Sequence, residues 1–285
     1  MKHNRFATKV AALAAASALL VGCSSNTSND GGASAGTSSA TGSSGSSAET
    51  AWERVERTGE IRVGLEGVFP PYSFHDDSGK LVGIEVEIAE LIAKDLGVKP
   101  VFVETKWDSL IAGVDVDKFD IVINNLHPTE ERLKKYDFST QYARAVTRAA
   151  VAEDSDIQTP ADLKGKRSAQ TPTSNYATQA KDLGAEVVPT GGFAESIELV
   201  TSGRADATLN DVISFTLYFE QHPDAGVRLL DEEIPTEDGC CSILFEKGDD
   251  ELKNKLDASI KKLVDDGTVD EISNRYVGID ISPEG

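Results

Sequence analysis

Apolar positions along the chain follow two periods in turn. Short β-rich runs fall at residues 61–65, 101–104, 120–123, 149–152, 205–209 and 242–245, with a further strand at 166–170. Between them the spacing becomes helical. Ile84, Ile88, Leu91, Ile92 and Leu96 form one stripe, and similar stripes run through 194–201, 212–219 and 252–264. Strands alternating with amphipathic helices predict βαβ units and mostly parallel sheets, an α/β protein. Two features divide the series. After Tyr136-Asp137-Phe138-Ser139-Thr140 a new α/β series begins, opened by Thr159-Pro160-Ala161-Asp162-Leu163-Lys164-Gly165. Near 235–241 a loop leads back into a strand and two final helices. The pattern is that of a chain that leaves one lobe, builds a second and returns.

The N-terminus breaks this pattern. Lys2, Arg5 and Lys9 precede an apolar run over 10–20, too short to span a bilayer as a mature helix and flanked like a secretory signal. The run ends in Leu20-Val21-Gly22-Cys23, which resembles the bacterial lipobox and makes residues 1–22 a lipoprotein signal peptide with Cys23 as the acylated residue. The plainer alternative is ordinary signal cleavage beside an incidental cysteine. Residues 24–47 contain only Ser, Gly, Thr, Ala, Asn and one Asp. Such a segment has nothing to bury, so 23–50 is expected to be a flexible tether with a reach on the order of 25–30 Å.

Charge narrows the partners. The formal net charge is −20, and removal of the leader, which carries three cations and no acid, takes it to −23. So acidic a surface excludes nucleic acid as a partner and excludes adhesion to anionic lipid by charge alone. Membrane attachment would then rest on the lipid at Cys23.

Candidate chemistry gathers at strand ends, where ligands bind in open α/β sheets. The strand at 61–65 runs into Glu66-Gly67-Val68-Phe69-Pro70-Pro71-Tyr72, and that at 120–123 into Asn124-Asn125-Leu126-His127-Pro128-Thr129-Glu130-Glu131-Arg132. The strand at 166–170 leads to Thr171-Pro172-Thr173-Ser174-Asn175-Tyr176, a helix start whose free N–H groups suit an anion, and that at 205–209 leads to Asn210-Asp211. Together these pieces fit a zwitterion. Arg132 offers a planar fork for a carboxylate, helped by N–H groups near Ser174 and Asn175. Asp211, with Glu66, would accept from an ammonium, and Phe69 and Trp107 offer flat apolar surfaces. Taken singly, each residue has a plainer role. Arg132 reads as a solvated helix charge, Asp211 as an N-cap, Phe69 and Trp107 as core, Thr173 and Ser174 as helix caps.

The stretches 64–74 (Gly-Leu-Glu-Gly-Val-Phe-Pro-Pro-Tyr-Ser-Phe) and 77–83 (Asp-Ser-Gly-Lys-Leu-Val-Gly) closely resemble the opening of bacterial extracellular solute-binding proteins of family 3, the polar amino acid receptors of ABC importers. The likeness continues through Trp107-Asp108, Lys118-Phe119-Asp120, Thr129-Glu130-Glu131-Arg132, Tyr136-Asp137-Phe138-Ser139, Gly203-Arg204-Ala205-Asp206-Ala207 and Asp265-Asp266-Gly267-Thr268, covering nearly all of 53–280 in order. The resemblance implies a periplasmic-binding-protein-like fold of type II, with 51–142 plus 240–285 as one lobe, 143–239 as the other, and two hinge crossings near Tyr142 and Gly239. It implies that Arg132 binds the α-carboxylate with the helix start at Ser174 and Asn175, that Asp211 binds the α-ammonium near Glu66, and that Phe69 stacks on the ligand. Trp107, Asn124, Asn125 and Thr173 complete the expected site. Within the family, Ser168-Ala169-Gln170-Thr171-Pro172-Thr173-Ser174-Asn175-Tyr176 and Ala207-Thr208-Leu209-Asn210-Asp211 look most like the cystine-binding branch, with glutamine and glutamate as alternatives. The chain departs at Leu126-His127-Pro128, where the family carries a small hydroxyl residue and an aliphatic one. His127 would either alter side-chain selectivity or supply only its backbone N–H. The implied partners are an amino acid and an ABC permease in the same membrane, with a monomeric receptor on the extracytoplasmic face.

Two rival classes share this fold. A prephenate- or arogenate-type dehydratase would need a positioned acid or base, and Glu66 is the only candidate; no Cys/His, Ser/His or paired-carboxylate signature is present. A sensor domain would need a membrane helix after the lobes, and none precedes Gly285. No cofactor or metal is implied: His75, His127 and His222 lack ligand spacing, and Asp115-Val116-Asp117 lacks a calcium-loop pattern. The adjacent pair Cys240-Cys241 is expected as two thiols on opposite faces of a strand, with a strained vicinal disulfide as the alternative.

Overall fold

In the computed structural model, which describes residues 49–235 and 240–283, the predicted alternation is realised around two five-stranded sheets. The leader, Cys23, most of the tether and the crossing expected near Gly239 lie outside the described residues. The elements run α1 (Ala51–Thr58), β1 (Glu60–Leu65), β2 (Phe74–His75), β3 (Leu81–Val82), α2 (Ile84–Asp95), β4 (Lys99–Glu104), α3 (Trp107–Val114), β5 (Ile121–Val122), α4 (Glu130–Leu133) and β6 (Tyr136–Gln141). They continue with β7 (Thr147–Ala152), a 3-10 turn (Pro160–Leu163), β8 (Arg167–Gln170), α5 (Asn175–Asp182), β9 (Glu186–Pro189), α6 (Phe193–Thr201), β10 (Ala207–Asp211), α7 (Val212–Gln221) and β11 (Val227–Leu229). The chain ends through β12 (Ser242–Glu246), α8 (Asp250–Asp265) and α9 (Thr268–Val277). Among the described residues no helix is long and apolar enough to cross a membrane.

The first sheet has the order β4-β1-β5-β12-β6 and the second β11-β7-β10-β8-β9. In the first, β12 alone is antiparallel to its neighbours β5 and β6; in the second, β7 alone is antiparallel to β11 and β10. Each reversed strand is the one that follows a passage between the sheets. The two passages run side by side: the Tyr142 N–H donates to the Cys241 carbonyl at 2.9 Å and the Gln141 amide to the Cys240 carbonyl at 3.1 Å.

Apolar stripes explain the layers. The predicted stripe on α2 buries Ile84, Ile88 and Ile92 against β1 residues Ile61 and Val63, with Leu256 and Ile260 of α8 closing the same core. A second core gathers Ala149 and Val151 of β7 with Leu209 of β10 and Leu163. Helix α1 was not evident from periodicity. It starts at a capping box, Thr50 accepting from the Glu53 N–H while Glu53 accepts from that of Thr50. Gly83 begins α2 at φ +135, where a Cβ would collide with the Tyr72 and Pro71 carbonyl oxygens. Those carbonyls accept from the first-turn N–H groups of Ile84 and Glu85, both at 3.0 Å, which locks the proline loop to the helix.

The run at 136–140, after which the second series was expected to begin, is itself strand β6, paired to β12 in the first sheet. Two expectations change. Asn210 and Asp211 lie within β10 rather than after it, paired with Arg148 and Thr147 of β7. The cysteines are not on opposite faces of a strand. They precede β12, and Cys241 sits at φ +66, so alternation does not apply and both sulfurs point the same way, 2.6 Å apart.

Candidate functional site

The carboxyl ends of parallel strands β1, β5, β8 and β10 converge on one small cavity. Its first-sheet wall is Glu66, Phe69, Trp107, Asn124 and Asn125, and its second-sheet wall includes Thr171, Ser174, Tyr176, Phe193 and Asn210. A wider groove adjoins it, sharing Trp107 and Ser174 and adding Arg132, Thr173 and Asn175. Both are formed by residues from the two sides, as a cleft between lobes requires.

One pole of the site is cationic. The single turn α4 is capped by Thr129, whose hydroxyl accepts from the Arg132 N–H at 3.4 Å, and this turn folds the Arg132 side chain inward. The guanidinium is 8% exposed, lies 5.6 Å above the Trp107 ring, and donates to the carbonyls of His127 at 2.9 Å and Thr173 at 3.2 Å. No carboxylate among the described residues pairs with it, and burial lowers its pKa to about 10. Thr173 crosses the cleft a second time, its hydroxyl donating to Asp108 at 2.9 Å. Ser174 caps α5 by accepting from the Ala177 N–H at 3.1 Å. The Asn175 side chain is buried, and neither its oxygen nor its nitrogen has a hydrogen-bond partner among the described residues. A buried cation with only neutral acceptors, beside a helix start, is built to take an anion.

The other pole is anionic. Asp211 is fully buried at the junction of β10 and α7, accepting from the Ile213 N–H at 2.8 Å, from the Asn125 amide at 3.2 Å and from the Tyr72 hydroxyl. The N-cap reading therefore holds for α7, and the same carboxylate also joins the two sides of the cleft. Burial raises its pKa to about 6. Glu66 exchanges hydrogen bonds with the Asn124 side chain, giving 2.9 Å to each partner, and desolvation pushes its carboxyl up. Behind them Asn125, at φ +48, receives a wall of polar contacts: its N–H donates to Glu85, and its carbonyl oxygen accepts from Cys240 and Cys241.

The structure brings most of the predicted residues together. Glu66, Phe69, Trp107, Asn124, Asn125 and Ser174 line the cavity, while Arg132, Thr173 and Asn175 line the groove. His127 and Asp211 line neither. His127 is buried edge-on to Tyr176, with ring centroids 6.3 Å apart, and its carbonyl accepts from Arg132. Asp211 reaches the cavity through Asn125. Five wall residues were absent from the predicted set: Thr171, Tyr176, Gly192, Phe193 and Asn210. Tyr176, Thr171 and Asn210 flank predicted residues at the same strand ends, so spacing could have suggested them. Phe193, which packs edge-on to Phe69 at 6.3 Å, enters from the start of α6, where only Gly191-Gly192 marks a close turn.

Comparison with known proteins agrees with this geometry. Residues 61–279 match the bacterial extracellular solute-binding proteins, family 3. A Haemophilus influenzae protein described as a probable amino-acid ABC transporter-binding protein is 40% identical over 237 residues, covering 81% of this chain and 89% of its own length. The L-cystine-binding protein TcyA of Bacillus subtilis is 37% identical over 235 residues, covering 81% and 86%. Among solved structures, an ancestral arginine-binding protein bound to arginine superposes with a TM-score of 0.71 at 36% identity, over 77% of this chain and 99% of that one. The unliganded open L-cystine receptor of Neisseria gonorrhoeae gives a TM-score of 0.58 at 38% identity, over 82% and 100%. These relatives are binding proteins rather than enzymes, and the shared architecture is the type II periplasmic-binding fold. The chain belongs to the bacterial extracellular solute-binding proteins, family 3.

Proposed function

We propose that the chain is the substrate receptor of an amino acid ABC importer, that its lobes close on a free amino acid, and that this amino acid is cystine. The observation that carries the reading is the pair of buried charges on opposite sides of the cleft: Arg132, with no ion-pair partner among the described residues, and Asp211, held by neutral donors. An α-amino acid supplies both complements. Its carboxylate meets the Arg132 fork and the start of α5; its ammonium meets Asp211 and Glu66; its side chain lies against Phe69 and Trp107. Cystine-binding relatives favour cystine, and a cavity continuous with a groove suits a ligand carrying two zwitterionic ends. Glutamine and glutamate are the alternatives.

The cross-cleft bonds from Arg132 and Thr173 and at Asp211 support a closed arrangement. So does the better superposition on an arginine-bound relative than on an open receptor of higher identity. Hinge motion would occur at the paired passages around Tyr142 and residue 240. The leader and lipobox support a monomer tethered by a lipid on Cys23, outside the membrane and beside its permease.

A thermal-shift screen of the amino acids and L-cystine tests this. A ligand at a hundredfold its Kd stabilises by about 2.7 kcal/mol, so the true one should stand apart. A large shift with glutamine and none with L-cystine would move the assignment; no shift with any amino acid would overturn it. Replacing Cys23 by Ala should release the protein from the membrane fraction.

A further inference from the structure

The cysteine pair is buried at the second passage between the sheets, directly behind the cavity wall. The left-handed backbone at Cys241 swings its side chain alongside that of Cys240, and the sulfurs stand 2.6 Å apart, only about half an ångström beyond a disulfide bond of about 2.05 Å. Both point at one atom, the side-chain oxygen of Asn125, at 2.7 and 3.0 Å. The same amide holds Asp211 through its nitrogen at 3.2 Å. Burial pushes both thiols up, so the reduced pair is protonated and donates to Asn125.

We propose that Cys240 and Cys241 form a redox-active vicinal dithiol, whose oxidation by a low-molecular-weight disulfide removes the donors that hold Asn125 against Asp211. One cysteine gives up its proton as it attacks a sulfur of the small disulfide, leaving a mixed disulfide on the protein and expelling a thiolate that takes up that proton. The neighbouring sulfur then attacks the protein-side sulfur, closing a ring through the intervening peptide and releasing the second thiol. Two electrons pass from the cysteines to the small disulfide, and the two protons leave on the released thiols. Oxidised, the pair has no S–H, and the buried Asn125 oxygen loses both partners. The amide is then free to turn away from Asp211, which loosens a cross-cleft contact. The effect on binding rests on the site proposed above; the redox chemistry does not.

The test has two arms. The full chain is equilibrated in reduced and oxidised glutathione at varied ratio, denatured, alkylated with iodoacetamide, and the peptide holding both cysteines is weighed. Peptides with both thiols or neither are expected, interconverting as a two-electron couple. Two free thiols persisting in oxidised glutathione alone, or a stable glutathione adduct beside a free thiol, would overturn the proposal. In the second arm, L-cystine binding is measured by calorimetry for the C240S/C241S and C240A/C241A proteins. Serine keeps hydroxyl donors and should behave like the reduced pair; alanine should bind on the order of threefold to tenfold more weakly, the worth of one buried hydrogen bond. Equal affinities would overturn the link to Asn125. If neither protein binds L-cystine, the substrate assignment fails, and the thiol titration still decides the redox site.

Discussion

Replacing Arg132 by Met separates a ligand clamp from a structural cation. In the closed cleft its pKa falls from 12.5 to about 10 through burial. At about 1.4 kcal/mol for each tenfold change in proton affinity, the charge is held at a cost of about 3 kcal/mol. Two charge-assisted hydrogen bonds and the Trp107 face offset this by a similar amount, so the ligand-free Met protein should stay within about 2 kcal/mol of the parent in denaturant unfolding. Binding should respond very differently. A carboxylate that loses its buried guanidinium partner costs about 2–5 kcal/mol, or roughly 30-fold to several thousandfold in Kd by calorimetry. Arg132→Lys should fall between, since an ammonium keeps the charge but not the fork. Affinity unchanged in the Met protein would refute the clamp. A loss of ligand-free stability above about 4 kcal/mol would instead make Arg132 a structural cation.

Asp211→Asn should weaken binding of amino acids far more than of their deaminated analogues, and equal losses would remove the ammonium role. Glu85 is fully buried and its pKa is raised to about 7, first by desolvation and then by Glu66 and Asp211 nearby. The folded state therefore holds a proton that the unfolded chain releases near 4.5. The stability it contributes is full below that pH and lost as pH rises to about 7, by about 3 kcal/mol. Relative to the parent, Glu85→Gln should gain stability as pH rises from about 4.5 to about 7 and level off above it, and curves parallel across that window would contradict it. Gly83→Ala places a methyl group against two carbonyl oxygens at a positive φ, and should cost about 2–3 kcal/mol in chemical denaturation; a loss under about 1 kcal/mol would mean the proline loop yields.

Periodicity revealed the strands and helices that bury a continuous apolar face, such as β1, α2 and α8. It concealed elements held by neighbours rather than by their own pattern. Strand β9, with its ends exposed, pairs along one edge with β8. Strand β6 alternates Tyr136, Phe138 and polar residues, yet needs β12 from over a hundred residues away to become a strand. In the site, charged and aromatic residues at strand ends were legible because their chemistry is uncommon there. The orientation of Cys240 and Cys241 was not legible, because it depends on one left-handed residue that favours no side chain in particular. Nor was the burial of His127 and Asp211 behind the wall, which depends on tertiary packing alone.

The place of β12 governs the order in which the molecule can be assembled. Lying between β5 and β6 inside the first sheet, it brings the C-terminal part of the chain into a structure begun by the N-terminal part. The second sheet, by contrast, is drawn wholly from β7 through β11, a contiguous stretch with short connections. A nascent chain emerging N-terminus first can therefore complete the later sheet before the earlier one. The first sheet must wait, with β6 parted from β5, until residues 242–246 arrive, a pairing of high sequence separation. Shortening the chain from its C-terminus ahead of β12 would remove an inner strand of a sheet, not its edge, and would leave β6 stranded.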